Sequence, residues 1–121
     1  MRLWHVDLLP KLPRQQLLGQ HRECCALRGA GWGKKHATVD YVFTHTYACL
    51  FWYHLHVIDE MRQRKYNVEG KWTDCHYRGK AVGFEYSPFI GSKVLPYRYP
   101  EHNADYLAEC VANLASKGIT I

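Results

Sequence analysis

A glycine, an arginine and a glutamate lie close together in one polar stretch of the chain, GQHREC at residues 19–24. Gly19 and Glu23 are four residues apart, so in a helix they lie on one face, one turn apart. A glycine in a helix interior costs up to about 1 kcal/mol relative to alanine. Because Gly19 removes bulk beside the carboxylate, the spacing predicts that a ligand approaches Glu23 there. A solvated helix surface with an accidental charge pair is the alternative interpretation.

The composition is that of a small basic globular protein. The chain has 121 residues, of which 47% are hydrophobic, and a formal net charge of +5 at pH 7. This length allows one domain, residues 1–121, to bury a core without disulfides or metal. The positive charge favours an anionic partner, and nucleic acid is the commonest such partner for a small soluble domain.

The cysteines and the hydropathy pattern indicate the compartment. Five cysteines without a CxxC pair suit a reducing cytoplasm better than a disulfide framework. No apolar stretch approaches the roughly 18 residues of a membrane-spanning helix, and the N-terminus lacks the apolar region of a signal peptide. We therefore expect a cytoplasmic protein that is neither secreted nor membrane-bound.

Three segments have the hydrophobic period of an amphipathic helix. Between the second and the third lies a long stretch rich in Gly, Pro and aromatic residues, without a sustained period. The sequence therefore predicts a mainly α fold, a single three-helix domain with long irregular connections. The predicted helices are roughly Arg14–Arg28 with Gly29 as C-cap, Tyr47–Lys65, and Ala104–Lys117 with Asn103 as N-cap and Gly118 as C-cap.

The apolar faces of these helices predict the core. On the first helix the predicted buried residues are Leu17, Leu18, His21, Cys24 and Cys25. On the second helix they are Tyr47, Leu50, Phe51, His54, Val57, Ile58 and Met61. On the third helix they are Tyr106, Leu107, Cys110, Val111 and Leu114.

The stretch QQLLGQHREC at residues 15–24 resembles the first helix of the bacteriophage endonuclease V and pyrimidine-dimer DNA glycosylase family. That family reads Gln-x-Leu-x-x-x-x-Arg-Glu at this point, and its bacterial relatives open with MRLW, as this chain does. A weaker resemblance continues through residues 41–67 and into the third predicted helix. The resemblance implies an endonuclease V-like, mostly α-helical domain. The chain departs from the family motif at Ala26, where the motif has a further arginine.

The resemblance also implies a chemistry, that of a DNA-repair glycosylase and AP lyase acting on damaged double-stranded DNA, at pyrimidine dimers or abasic sites. In such enzymes the N-terminal amine attacks C1′ of the damaged nucleotide, displaces the base and forms an imine, and β-elimination then breaks the strand. The resemblance gives these roles to the Met1 amine and to Glu23 as its essential carboxylate. It implies no cofactor, and a protein associated with the nucleoid.

Acid–base chemistry agrees with an N-terminal nucleophile. An α-amine has a pKa of about 7.7–8.0, against about 10.4 for lysine, so roughly a tenth of it is free base at neutral pH. A carboxylate beside C1′ can stabilise positive charge there and later move protons. Because an arginine at position 2 disfavours removal of the initiator methionine, we expect the amine to be that of Met1.

Basic residues near this stretch, and in the glycine-rich loop RGAGWGKKH, are candidate phosphate contacts. A solvated loop with Trp32 buried is an equally good interpretation of the loop. The predicted DNA-binding residues are Arg2, Arg22, Lys34 and Lys35. The candidate near-site residues are His5, Gly19 and His36.

The eight histidines form no spaced Cys/His set, so we expect no metal. His21 and His54 lie on predicted core faces, where a hydrogen-bonded interior histidine is expected. Two other functions stay open at this point. One is a non-catalytic basic module that binds DNA or RNA, and the other is an N-glycosidase that uses Glu23 without an imine.

Overall fold

Helices account for the regular secondary structure in the computed structural model, which describes residues 2–32, 40–84 and 98–121. Within these ranges there is no strand, only an isolated antiparallel bridge between Tyr77 and Phe84. The prediction of a mainly α fold with three helices is confirmed. The α-helices are α1, Arg14–Arg28, α2, Tyr47–Gln63, and α3, Ala104–Ser116, and short 3-10 helices lie at Val6–Lys11, Asp40–Thr44 and Gly70–Thr73.

α1 has the predicted bounds because both of its ends carry strong local signals. Pro13 precedes the first turn, and its carbonyl oxygen accepts the Leu17 N–H at 3.0 Å. At the other end the Gly29 N–H donates to two carbonyl oxygens of the last turn, each at 3.2 Å. A Cβ on Gly29 would lie 2.8 Å from the Arg78 carbonyl oxygen, so the close approach of the chain requires glycine there.

The buried face of α1 differs from the predicted one. Of the five predicted core residues, Leu17 and Cys24 are buried. The other three, Leu18, His21 and Cys25, are only half-buried. Gln20 and Arg28, which no apolar pattern selects, are 1% and 0% exposed. The prediction was wrong here because residues 2–4 cover the Gln20 side of the helix and residues 72–77 cover Arg28.

α2 packs along α1 and ends at Gln63, two residues before the predicted Lys65. Lys65 has a φ of +67°, a left-handed conformation that cannot continue the helix. The Tyr66 N–H turns back to the Met61 carbonyl oxygen at 2.9 Å. The predicted apolar stripe of α2 is confirmed except at Phe51, which is half-buried.

α3 begins at the predicted N-cap, Asn103, whose side chain accepts the Tyr106 N–H at 2.9 Å. It ends one residue earlier than predicted, so that Lys117 is its C-cap and Gly118 follows with a φ of +82°. Its apolar face is less buried than predicted because α3 packs at the margin of the core. Of the five predicted residues, Cys110 and Leu114 are buried. The other three, Tyr106, Leu107 and Val111, are half-buried.

The N-terminal segment completes the core against these helices. Six of its apolar side chains are nearly inaccessible to solvent and join one cluster with those of α1, α2 and α3. Burial of this kind is the main favourable contribution to folding. The buried residues of the segment are Leu3, Trp4, Val6, Leu8, Leu9 and Leu12.

The structure describes all five cysteines, and each is a free thiol. In the described part of the chain, no helix combines the length and the apolar character that crossing a bilayer requires.

Candidate active site

A cleft of about 230 Å³ opens on the exposed side of α1, next to the N-terminal segment. It combines an aromatic ring with side-chain amides and two basic groups. This combination suits an anionic ligand that also has an aromatic part. The lining residues are Trp4, Gln15, Gln16, Gly19, Gln20, Arg22 and Lys117.

Gly19 leaves open space in this cleft. A Cβ built on Gly19 would meet only the Arg22 Nη2 atom, at 3.7 Å, which is an ordinary van der Waals distance. Packing among the described residues therefore does not require glycine at this position. An approaching ligand would account for it, as the sequence predicts.

Glu23 lies one turn after Gly19 on α1, and its side chain is half-buried. It does not line the cleft itself. Within the part of the chain that the structure describes, neither Glu23 nor the exposed Arg22 makes a hydrogen bond or ion pair through its side chain. Among the described residues, neither charged group is neutralised by a side-chain partner.

Gln20 fixes the N-terminal backbone on α1. Its Nε2 donates to the Arg2 carbonyl oxygen at 3.1 Å, and its Oε1 accepts the Trp4 N–H at 2.6 Å. Gln20 and Glu23 are three residues apart and hence neighbours along the helix surface. Residues 2–4 are thus anchored to α1 at a residue that neighbours Glu23 on the helix surface.

Two tyrosines from the other helices hold the same segment. The Tyr106 hydroxyl of α3 donates to the Leu3 carbonyl oxygen at 2.5 Å. The Tyr53 hydroxyl of α2 donates to the Trp4 carbonyl oxygen at 2.6 Å. The backbone that leads to residue 1 is therefore tied to all three helices.

Basic side chains surround Trp4, the aromatic wall of the cleft. The Arg2 guanidinium and the Lys117 ammonium lie 5.8 and 5.9 Å from the centre of its ring. Arg2 also forms an ion pair with Glu109 at 2.8 Å, so its charge is partly compensated. Lys117 and Arg22 line the cleft directly. The positive charge of Arg22 is thus joined in the cleft by that of Lys117, the C-cap residue of α3.

Four of the predicted site residues lie outside the described residues, so their positions are not part of this geometry. They are Met1, Lys34, Lys35 and His36.

His5, predicted as a near-site residue, is buried away from the cleft. Its Nδ1 accepts the Asp7 N–H at 3.0 Å and so caps the first 3-10 helix. Its ring stacks on His102, with 5.4 Å between ring centres. Burial lowers the pKa of His5, so the ring is neutral at neutral pH. These contacts give His5 a structural role.

Arg28 is a fully buried cation that holds the segment after α2, residues 72–77. Nε donates to the Tyr47 hydroxyl at 2.8 Å, and Nη1 donates to the Trp72 carbonyl oxygen at 2.8 Å. Nη2 donates to the carbonyl oxygens of Asp74 and Tyr77, both at 3.0 Å. With a further bond from Nη1 to His54, each of the five N–H groups of the guanidinium has an acceptor.

His54, His21 and Cys25 form one of two groups of metal-ligating atoms among the described residues, each group with its atoms within 4.8 Å of one another; the other, Asp74, Cys75 and His76, lies nearer the surface. Arg28 donates to His54 Nδ1 at 2.9 Å, so neutral His54 carries its proton on Nε2. That proton faces His21 Nδ1 at 2.9 Å. Because His54 would have to lose this proton to bind a metal, the geometry favours a hydrogen-bond relay.

Burial keeps this relay neutral. It lowers the pKa of His21 and, much more strongly, that of His54, and the positive charge of Arg28 acts in the same direction on both. Burial also raises the pKa of the Cys25 thiol to about 11. The predictions of a buried, hydrogen-bonded His54 and of interior hydrogen bonding for His21 are confirmed, although His21 is only half-buried.

The model of the pyrimidine dimer DNA glycosylase family matches residues 1–74, more than half of the chain. The chain belongs to this family. Pyrimidine dimer DNA glycosylases are DNA-repair enzymes with DNA as substrate, and the match contains Gly19, Gln20 and Glu23. It ends before α3, which supplies Lys117 to the cleft. Searches of curated proteins and of solved structures give no significant match.

Sequence reasoning missed three residues of this region of the pyrimidine dimer DNA glycosylase domain. Gln20 and Arg28 read as surface polar residues, because nothing local indicates which segment will cover them. Lys117 reads as the end of a helix, because its approach to the cleft depends on how α3 packs. The only local signal of the cleft was Gly19, which predicts open space on the surface of α1. It does not indicate which other elements line that space.

Proposed function

We propose that this chain is a DNA N-glycosylase and AP lyase that acts on damaged double-stranded DNA, at pyrimidine dimers or abasic sites. The observation that carries the proposal is that the N-terminal segment is anchored to Gln20, three residues before Glu23 on α1, and that Glu23 is a half-buried carboxylate without a side-chain partner in the described ranges. Family membership supports the glycosylase part of the proposal.

The proposed nucleophile is the Met1 amine. Its lone pair attacks C1′ of the damaged nucleotide, the bond from C1′ to the base breaks, and the base leaves with the bonding electrons and a proton. Opening of the sugar ring then gives an imine between C1′ and the amine. Loss of a proton from C2′ finally expels the 3′ phosphate oxygen and breaks the strand.

Glu23 is the proposed partner of this amine. Its carboxylate stabilises the positive charge that develops at C1′ during attack, and it accepts the C2′ proton in the elimination step. Partial burial strengthens both effects because the local dielectric constant is lower than in water. No group in the described ranges neutralises this carboxylate, which supports these roles.

The cleft is the proposed DNA contact. Arg22 and Lys117 are placed to bind phosphate, and Trp4 offers an aromatic edge. Arg2 would contribute less, because Glu109 already compensates its charge. Lys34 and Lys35 remain proposed phosphate contacts on the basis of their sequence alone.

The test is strand cleavage of a duplex with one abasic site, by protein whose chain begins at Met1, compared with its Glu23→Gln variant. We expect the variant to cleave at least about a hundredfold more slowly. The exchange is nearly isosteric, so Kd for the duplex should change only a few fold. Glu69→Gln is the matched control, because Glu69 is an exposed carboxylate without a side-chain capping bond.

Two results would contradict the proposal. Equal losses of binding and cleavage in Glu23→Gln would make Glu23 a structural residue. Tight, salt-sensitive binding by the wild type without any cleavage would support the alternative function, a non-catalytic DNA-binding module.

A further inference from the structure

Three successive carbonyl groups next to the proposed nucleophile are each held by a different helix. The Arg2 oxygen accepts from Gln20 of α1 at 3.1 Å, and the Leu3 oxygen accepts from Tyr106 of α3 at 2.5 Å. The Trp4 oxygen accepts from Tyr53 of α2 at 2.6 Å. A surface terminus normally has few such bonds, so this arrangement calls for a physical reason.

Gln20 binds the segment as a neighbouring strand would. In an extended chain the C=O of one residue and the N–H of the residue two places on point to the same side. The Gln20 amide offers one donor and one acceptor to these two groups, on Arg2 and Trp4. Exchanging its oxygen and nitrogen would break both bonds, so the pairing has one orientation.

The supporting side chains are themselves immobilised. Gln20 is 1% exposed and Tyr53 is 0% exposed. The Tyr53 hydroxyl also lies 2.9 Å from Gln20 Oε1. Its single proton is therefore shared between two acceptors, Gln20 Oε1 and the Trp4 carbonyl oxygen. The anchor of the segment is therefore part of the protein core.

We infer that Gln20 and Tyr106 are positioning residues for the nucleophilic amine, because they hold the carbonyl groups of Arg2 and Leu3, the two residues that follow Met1. This inference rests on the proposed function. Arg2 carries the last anchored carbonyl before residue 1, so the bond from Gln20 limits how far the amine can move. Holding a nucleophile close to its attack geometry supplies a large part of catalysis, and a misplacement of about 1 Å can cost about a hundredfold in rate.

The experiment compares Tyr106→Phe and Gln20→Met with Tyr99→Phe. Tyr106→Phe keeps the ring over which Arg2 lies and removes only the hydroxyl. Gln20→Met keeps the length of the side chain and removes both polar atoms. Tyr99 is the matched control, because it is a buried tyrosine whose hydroxyl bonds the carbonyl oxygen of Val42, a residue outside the segment.

The first readout is the rate of borohydride-trapped adduct formation on an abasic-site duplex, with Kd measured in parallel. We expect the rate to fall about tenfold or more in Tyr106→Phe and in Gln20→Met. Kd should stay within about threefold, and Tyr99→Phe should react at the wild-type rate even if its Tm falls. If Gln20 and Tyr106 had a purely structural role, their variants would have a lower Tm, and the trapping rate and the affinity for DNA would change together.

The second readout needs no DNA. The backbone ¹⁵N order parameter of Leu3 should be near 0.85 in the wild type and fall toward roughly 0.6 in Tyr106→Phe. An unchanged trapping rate in Tyr106→Phe would overturn the inference and leave the proposed function standing, even if Gln20→Met does not fold. A wild type that forms no adduct would overturn the proposed function, and this inference with it.

Discussion

The Arg22 guanidinium lies beside Gly19, with its Nη2 atom 3.7 Å from the position that a Cβ on Gly19 would occupy. No other described atom lies close enough to resist a methyl group there. Glycine is thus kept in the middle of α1 although the helix itself would be more stable with alanine.

Gly19→Ala should raise the free energy of unfolding by up to about 1 kcal/mol, because alanine has the higher helix propensity. The same substitution should weaken DNA binding or slow cleavage, because the methyl group occupies the cleft. Urea denaturation and the cleavage assay measure the two effects. Ala26→Gly is the control, because it makes the opposite exchange at an exposed position of α1. It should lower the free energy of unfolding without lowering the activity. A stabilised Gly19→Ala with full activity would exclude a ligand at this position.

Arg28→Lys should lower the free energy of unfolding by about 2–4 kcal/mol. Lysine has three donors where arginine has five, so at least two of the buried acceptors around Arg28 lose their hydrogen bonds. Arg22→Lys is the control, because Arg22 is exposed and has no side-chain partner within the described ranges, and it should change stability by less than about 0.5 kcal/mol. A similarly small effect of Arg28→Lys would show that the segment after α2 does not depend on this guanidinium.

Stability should fall at acid pH because three buried histidines stay neutral in the fold. Burial lowers the pKa of His5 and of His54, and it lowers the pKa of His102 to about 3. In the unfolded chain each of these residues titrates near about 6.5. Below that pH the unfolded state takes up protons that the native state excludes, so the free energy of unfolding falls by up to about 1.4 kcal/mol per pH unit for each histidine.

The measurement is urea denaturation at pH 8, 7 and 5. We expect nearly equal values at pH 8 and 7, and a loss of at least about 4 kcal/mol between pH 7 and 5, of which His54 and His102 account for about 2 kcal/mol each and His5 for a smaller part. A free energy of unfolding that is the same at pH 7 and pH 5 would contradict the neutral, buried state of these residues.

DNA binding should depend on salt through the basic side chains of the cleft. Arg22→Ala and Lys117→Ala should each flatten the log–log slope of Kd against salt by about one, because each removes one phosphate contact. Arg2→Ala should change the slope less, since Glu109 already pairs with Arg2. Lys35→Ala tests the glycine-rich loop in the same way.

Lys11→Ala is the control for these variants, because Lys11 is exposed and does not line the cleft. Unchanged slopes for both Arg22→Ala and Lys117→Ala would place the DNA surface elsewhere on the molecule.

The sequence predicted the elements with strong local signals and failed where the outcome depends on tertiary packing. The bounds of α1 follow from Pro13 and Gly29, which act on adjacent backbone. The burial of Gln20 and Arg28 could not be predicted, because a polar side chain is buried only when distant segments supply its hydrogen bonds. Glu23 and Gly19 could be selected from their spacing, whereas the contribution of Lys117 requires the packing of α3.

The central claim is that the Met1 amine is the nucleophile, and borohydride reduction in the presence of an abasic-site duplex tests it most directly. We expect a covalent protein–DNA adduct whose peptide map places the DNA on residue 1. Acetylation of that amine should abolish the adduct, because an amide nitrogen cannot form an imine, while DNA binding should largely persist, since only one positive charge is lost. An adduct on an internal lysine, or no adduct from a protein that still binds the duplex tightly, would contradict the claim.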